Sequence, residues 1–217
     1  MTPEKFRLEL EEKFPFEPTD SQRTWFKEIA AFILSKNQNS AFLLRGYAGT
    51  GKTTLIGALV RQLKVSGYKA VLMAPTGRAA KVMATYSRFP AFTIHKQIYY
   101  PKPEQSGKMV FQLKPNKYRN TIFIVDEASM IGDDRKQAKL FENGSLLHDL
   151  VQYVSRGDRC KLIFVGDPAQ LPPVNLNLSP ALDQKELEHF HFDKVYGVEL
   201  STVVRQAKNS GILTNAT

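Results

Sequence analysis

The chain has 217 residues, 42% hydrophobic and 24% charged, with one cysteine and a net charge of +9, enough for one large domain or two small ones. A lone thiol, Cys160, excludes an intrachain disulfide and a cysteine-cluster metal centre and fits a reducing, cytoplasmic setting. No apolar run approaches the length of a membrane span, and the charged Met1–Lys13 segment is unlike a signal peptide, so no membrane partner is expected.

Residues 4–15 have the pattern of an amphipathic helix of mixed charge. A second helix starts at Thr19-Asp20-Ser21-Gln22, with Thr19 or Asp20 as cap and Trp25, Phe26, Ile29, Ala30 and Ile33 as its apolar face. Ala41–Leu44 reads as a buried strand. It runs into Gly46-Tyr47-Ala48-Gly49-Thr50-Gly51-Lys52-Thr53, a complete G-x-x-x-x-G-K-[ST] loop, and residues 53–65 follow with helical spacing. Strand, glycine loop and helix N-terminus make a phosphate cradle. Backbone N–H groups turn inward, the helix end adds partial positive charge, Lys52 reaches the β- and γ-phosphates, and Thr53 offers its hydroxyl to Mg²⁺. Tyr47, Ala48, Thr50 and Thr54 join the glycines as expected nucleotide contacts. A nucleoside triphosphate ligand follows from these residues.

Four further short apolar runs follow: residues 70–74, 121–125, 161–165 and 195–200. Most do not alternate, as expected of parallel strands buried on both faces. Helical stretches at 53–65, 77–86 and 146–155 separate most of them, which argues for an α/β doubly wound parallel sheet with its chemistry at the carboxyl ends of the strands. Residues 99–120 break the alternation. Pro101, Pro103, Gly107 and Pro115 oppose a long helix, and Met109–Leu113 can pair back on Ile98-Tyr99-Tyr100 as a hairpin. The expected organisation is therefore one lobe formed by 1–98 and 121–217, with a small basic insertion at 99–120.

The charge is concentrated. Between Arg78 and Asn120 lie nine basic residues and one acid, a net +8 of the chain's +9. They are interleaved with Tyr86, Phe89, Phe92, Tyr99, Tyr100, Phe111 and Tyr118. Cations for phosphates and aromatic faces for stacking suit a single-stranded nucleic acid. A solvated basic loop whose aromatics lie in the core is the alternative from composition. The histidines His95, His148, His189 and His191 show no metal-ligand spacing.

Val125-Asp126-Glu127-Ala128-Ser129-Met130 ends a strongly apolar strand with two carboxylates. Asp126 is expected to hold the Mg²⁺ shell and Glu127 to orient and deprotonate the attacking water, which favours hydrolysis over transfer to another acceptor. The strand ending at Val165 runs into Gly166-Asp167-Pro168-Ala169-Gln170-Leu171-Pro172-Pro173-Val174, a turn stiffened by prolines. Its Asp167 and Gln170 should face the same rim as Thr53 and Asp126.

The ordered set of motifs resembles the superfamily-1 helicases of the B type, the RecD-like and Dda-like group. The segments that carry the resemblance are Gly46–Thr53, Ala74-Pro75-Thr76-Gly77-Arg78-Ala79-Ala80, Thr93-Ile94-His95, Asp126–Met130, Gly166–Val174 and Val204-Arg205-Gln206. The resemblance implies a RecA-like P-loop lobe that uses ATP with Mg²⁺ and moves 5′ to 3′ along single-stranded DNA. In it Gln22 would read the adenine edge, Gln170 would sense the γ-phosphate, and Arg205 would add positive charge there. Pro75, Thr76, Arg78, Thr93 and His95 would contact the single strand. The insertion would guide or split duplex at a fork, with Tyr99, Tyr100 and Phe111 as candidate wedges. Such helicases have two lobes, and 217 residues hold one, so the expectation is a monomeric first lobe from a longer polypeptide that does not unwind DNA by itself. A phosphotransferase with a basic acceptor pocket and a DNA-binding module with a vestigial ATP site are the competing readings.

Overall fold

The computed structural model describes residues 1–37, 39–103, 109–132, 145–170, 178–190 and 192–204. Helix α1 (Pro3–Glu12) is capped by the Thr2 hydroxyl, which accepts from the Lys5 N–H. It stops short of the expected residue 15 because Pro15 disfavours helical backbone at the residue before it. Helix α2 (Asp20–Leu34) takes Thr19 as cap, and Gln22 closes a reciprocal capping box with it. Its expected apolar face is fully buried.

The strands are β1 (Ser40–Gly46), β2 (Lys69–Ala74), β3 (Ala91–Thr93), β4 (Tyr99–Pro103), β5 (Met109–Leu113), β6 (Thr121–Val125), β7 (Lys161–Gly166) and β8 (Lys194–Leu200). The later helices are α3 (Lys52–Val65), α4 (Gly77–Ser87), α5 (Ile94–Ile98), α6 (Leu146–Ser155) and α7 (Gln184–Glu188). Six strands form one parallel sheet in the order β3-β2-β6-β7-β1-β8. This is the RecA-like P-loop arrangement expected from the sequence. Strand β3 and helix α5 were not foreseen, since three and five residues are too few to show a period.

Alternate residues of each central strand feed two cores. Phe42, Leu44, Ile122, Ile124, Ile163 and Val165 face the layer that includes α1, α2 and α3. Leu43, Phe123, Val125, Leu162 and Phe164 face α5, α6 and the hairpin base. This explains why the strands read as continuous apolar runs. Strands β4 and β5 pair antiparallel from Tyr99↔Leu113 to Pro103↔Met109. Pro101 and Pro103 are two apart and share one hydrogen-bonding side of β4. A two-stranded ribbon leaves an outward side on which a missing N–H costs nothing.

Lys161, the first residue of β7, is buried and reaches the carboxyl end of α2. Its Nζ donates to the carbonyls of Phe32 (2.6 Å) and Ser35 (2.9 Å) and to Ser35 Oγ (2.8 Å). Helix α2 has no basic residue in its own last turn, so a distant strand supplies the cation that its dipole favours. Burial pushes this ammonium down to about 8, which still leaves it charged at neutral pH.

Candidate functional site

Strand β1 delivers Gly46 to the loop, and α3 begins at Lys52. Gly49 and Gly51 adopt φ of 83° and 91°, the left-handed region that side chains resist. The Thr50 hydroxyl and N–H both return to the Tyr47 carbonyl, at 2.9 and 3.3 Å. Lys52 Nζ lies over the loop and donates to the Gly46 (2.5 Å) and Tyr47 (3.0 Å) carbonyls. Burial pushes this ammonium down, while Asp167, Asp126 and Glu127 pull it back up. Three carboxylates from the ends of two other strands thus face the loop lysine. Tyr47, Ala48 and Thr53 are exposed, with Thr54 half-buried.

Gln22 is buried beneath the loop with both ends of its amide engaged. Its Nε2 donates to the Thr50 carbonyl at 3.0 Å, and its Oε1 accepts from the Thr19 N–H at 3.0 Å. An amide carries a second N–H and a second oxygen lone pair, so these bonds leave the expected adenine contact open to it.

Asp126 follows β6, and its N–H donates to the Met73 carbonyl at 2.9 Å. Asp126 Oδ1 accepts from the Glu127 N–H at 3.0 Å. Its Oδ2 accepts from the Tyr86 hydroxyl, which lies beside the Thr53 side chain. Burial and the Asp126 charge push that phenol up, so it stays neutral and donates. Thr53 and Asp126 offer hard oxygen donors of the kind that magnesium takes, and Tyr86 lies against both. Glu127 sits at φ 54°, a strained position for a side-chain-bearing residue and one that recurs at functional sites. Burial and Asp126 push its carboxyl up, against the lowering effect of a Gln170 hydrogen bond and Lys52. Gln170 Oε1 accepts from the Ser129 hydroxyl at 2.7 Å. Asp167 is buried and holds the turn through the Ala169 N–H at 2.9 Å.

The sheet order explains this gathering: β6, β7 and β1 are neighbours, so their carboxyl ends bring Asp126-Glu127, Asp167-Gln170 and the loop to one rim. Lys52, Thr53, Asp126, Glu127 and Gln170 are brought together as expected. Arg205 lies outside the described residues, as do Leu171 to Val174. The Val204 N–H, one residue before Arg205, donates to the Gly49 carbonyl at 3.0 Å. Sequence reasoning missed Tyr86 as a site residue and grouped it with the stacking aromatics. Its sequence neighbours gave no signal, because the contact spans 40 positions.

Pairing of β2 with β3 sets Ala74 beside Thr93, so the two expected DNA segments are adjacent. Thr76 caps α4 and Thr93 caps α5, accepting from Ala79 and Lys96 N–H groups at 3.2 Å each. Pro75 is half-buried and Arg78 exposed. His95 packs on the Tyr99 and Phe111 rings, and burial lowers its pKa. Among the wedge candidates, Tyr99 is withdrawn. It is 2% exposed, and its hydroxyl donates to the buried Asp149 carboxylate at 2.6 Å. Phe111 is half-buried, and Tyr100 is 53% exposed with Lys114 Nζ 5.2 Å from its ring centroid. Phe92 is also exposed, beneath Lys96. Tyr86, Phe89 and Tyr118 pack against the cores, so the core alternative holds for part of the aromatic set.

A family described as an AAA domain (AAA_30) matches residues 19–216. The ATP-dependent RecD2 DNA helicase of Deinococcus radiodurans is 32% identical over 199 residues, covering 92% of this chain and 24% of that protein. The ATP-dependent DNA helicase dda of Enterobacteria phage T4 is 30% identical over 202 residues, covering 92% of this chain and 42% of that protein. The chain thus spans under half the length of these relatives. The fold is similar to the Pif1 helicase of Candida albicans, with a TM-score of 0.54 at 20% identity over 88% of this chain and 41% of that one. Among the described residues, no helix is long and apolar enough to cross a membrane.

Proposed function

The chain belongs to the AAA_30 family of AAA domains, and on that premise we propose that it is the ATP-binding and ATP-hydrolysing motor lobe of a 5′ to 3′ DNA helicase. The observation that carries this reading is the convergence of Lys52, Asp126, Glu127 and Gln170 on one rim. A bound magnesium ion would supply Lewis-acid neutralisation of the triphosphate charge. Thr53 and Asp126 would hold it, and the loop glycines would turn N–H groups toward the phosphates. Lys52 would release its two loop carbonyls and meet the terminal phosphates. Glu127, its carboxyl raised yet restrained by Gln170, would accept the proton of the attacking water. Gln170 touches that base directly, so a change at the terminal phosphate would reach the turn after β7.

Single-stranded DNA would lie along the start of α4 and α5, where Thr76, Thr93, Arg78 and Lys96 gather, with the β4–β5 hairpin toward the duplex side of a fork. The RecD2 and dda relatives are named as DNA helicases, which supports this partner. In this reading, translocation belongs to the lobe together with a second one, because it requires two bodies that open and close. Binding of a fluorescent ATP analogue, followed by phosphate-release kinetics, tests the reading. Lys52→Ala should weaken binding by about 10- to 100-fold, the worth of one charge-assisted contact. Glu127→Gln should keep binding and lose hydrolysis. A wild-type chain that binds no nucleotide overturns the proposal.

A further inference from the structure

Tyr86 belongs to the last turn of α4, a helix whose other end carries the expected DNA contacts. Its hydroxyl nevertheless meets Asp126 Oδ2 and the Thr53 side chain. Neither the P-loop nor the Asp-Glu pair includes it. The contact depends on packing, since α4 lies against α3 and the Tyr86 carbonyl comes within 4.0 Å of where a Cβ on Gly57 would stand.

Asp126 has two oxygens, and each has one partner here: the Glu127 N–H for Oδ1 and the Tyr86 O–H for Oδ2. The backbone bond fixes one edge of the carboxylate but leaves rotation about it. The phenol removes that freedom and holds the same group beside the loop threonine. We propose that Tyr86 is a positioning residue that sets the orientation and spacing of Asp126 and Thr53 for a magnesium–nucleotide complex. This rests on the nucleotide-binding reading above. Partners that orient metal-binding groups through a hydrogen bond are commonly worth about 10- to 100-fold in metal affinity.

Tyr86→Phe removes the hydroxyl and keeps the ring that fills the space. The test is the affinity of the full chain for a fluorescent ATP analogue, measured with excess magnesium and again with a chelator. In the chelator arm Tyr86→Phe should match wild type, and in the magnesium arm it should bind about tenfold more weakly. Equal affinities in the magnesium arm, tighter binding by the variant, or an equal loss in both arms each overturn the proposal. An equal loss would make Tyr86 a packing residue, and tighter binding would make it a competitor of the metal. If Tyr86→Phe melts below the assay temperature, Tyr86→Met fills part of the same volume without a hydroxyl and must give the same split. A wild type that binds in neither arm overturns the nucleotide-binding reading itself. A wild type that binds more tightly with magnesium, with Tyr86→Phe matching it in both arms, removes Tyr86 alone.

Discussion

Ser129 donates its hydroxyl to Gln170 Oε1 at 2.7 Å, which orients the amide so that its N–H₂ end serves Glu127. A serine inside the Asp-Glu-Ala-Ser-Met segment therefore decides which end of the glutamine the carboxylate meets.

Breaking that arrangement should shift the pH dependence of hydrolysis. The Glu127 carboxyl is already raised, by burial first and Asp126 second, and the Gln170 bond holds it down. A general base works above its pKa, so removing the bond should move the acid limb of the rate profile to higher pH. Gln170→Leu should do so fully and Ser129→Ala partly, with a fall of about 5- to 30-fold in neutral-pH turnover for the loss of a contact worth about 1–2 kcal/mol. Steady-state phosphate release across pH reads both effects. Coincident acid limbs would show that Gln170 does not touch the working base.

Three glycines should respond differently to alanine. At Gly57, inside α3, an added Cβ meets Arg61 Nη1 at 3.5 Å and the Tyr86 carbonyl at 4.0 Å, both ordinary contacts. Gly57→Ala should stabilise the fold by about 0.5–1 kcal/mol through helix propensity. At Gly46 the Cβ would lie 2.7 Å from Thr50 Oγ1 and 2.9 Å from Leu200 Cβ. At Gly51 it would lie 2.8 Å from Gln22 Nε2, at positive φ. Both should destabilise by about 1–3 kcal/mol and weaken nucleotide binding. Urea midpoints rank all three, and a stabilised Gly51→Ala would contradict the loop geometry.

Lys161→Met should cost about 2–4 kcal/mol, because the carbonyls at the end of α2 lose their buried donor. Lys64→Met, at an exposed position, should change stability by no more than about 0.5 kcal/mol. Denaturant titration of the two variants separates a buried helix cap from an ordinary surface lysine. Equal midpoints would refute the cap.

Neutralising Arg78, Lys81 and Lys96, all exposed on α4 and α5, should weaken single-stranded DNA binding across sequences. Each phosphate contact contributes about −0.7 to the logarithmic salt slope, so the triple variant should be shallower by about two. Fluorescence anisotropy over a range of salt concentrations measures this, and an unchanged slope would assign the cations to solvent.

The loop and the acid pair were legible because their signals are contiguous: an apolar strand, then fixed polar spacing, then a helix or turn. Their meeting was legible too, since parallel strands collect loops at one end. Contacts made by side-chain reach across the chain were hidden. Lys161 looks like a strand residue at a solvent edge until α2 ends beside it, and Tyr86 looks like any aromatic in a basic stretch until α4 settles on α3. Tyr99 and Tyr100 were indistinguishable by type. Strand alternation requires one in and one out, and only the packing of β4 on α6 selects Tyr99 for the interior.

Finally, the Val204 N–H bonded to the Gly49 carbonyl couples the backbone after β8 mechanically to the glycine loop. Tension along that backbone would be felt at Gly49 through this bond, beyond the register that locks β8 to β1. Grip and pull would then share a lever one residue from an arginine, and lengthening or cutting it should uncouple them while the β1–β8 register stays intact.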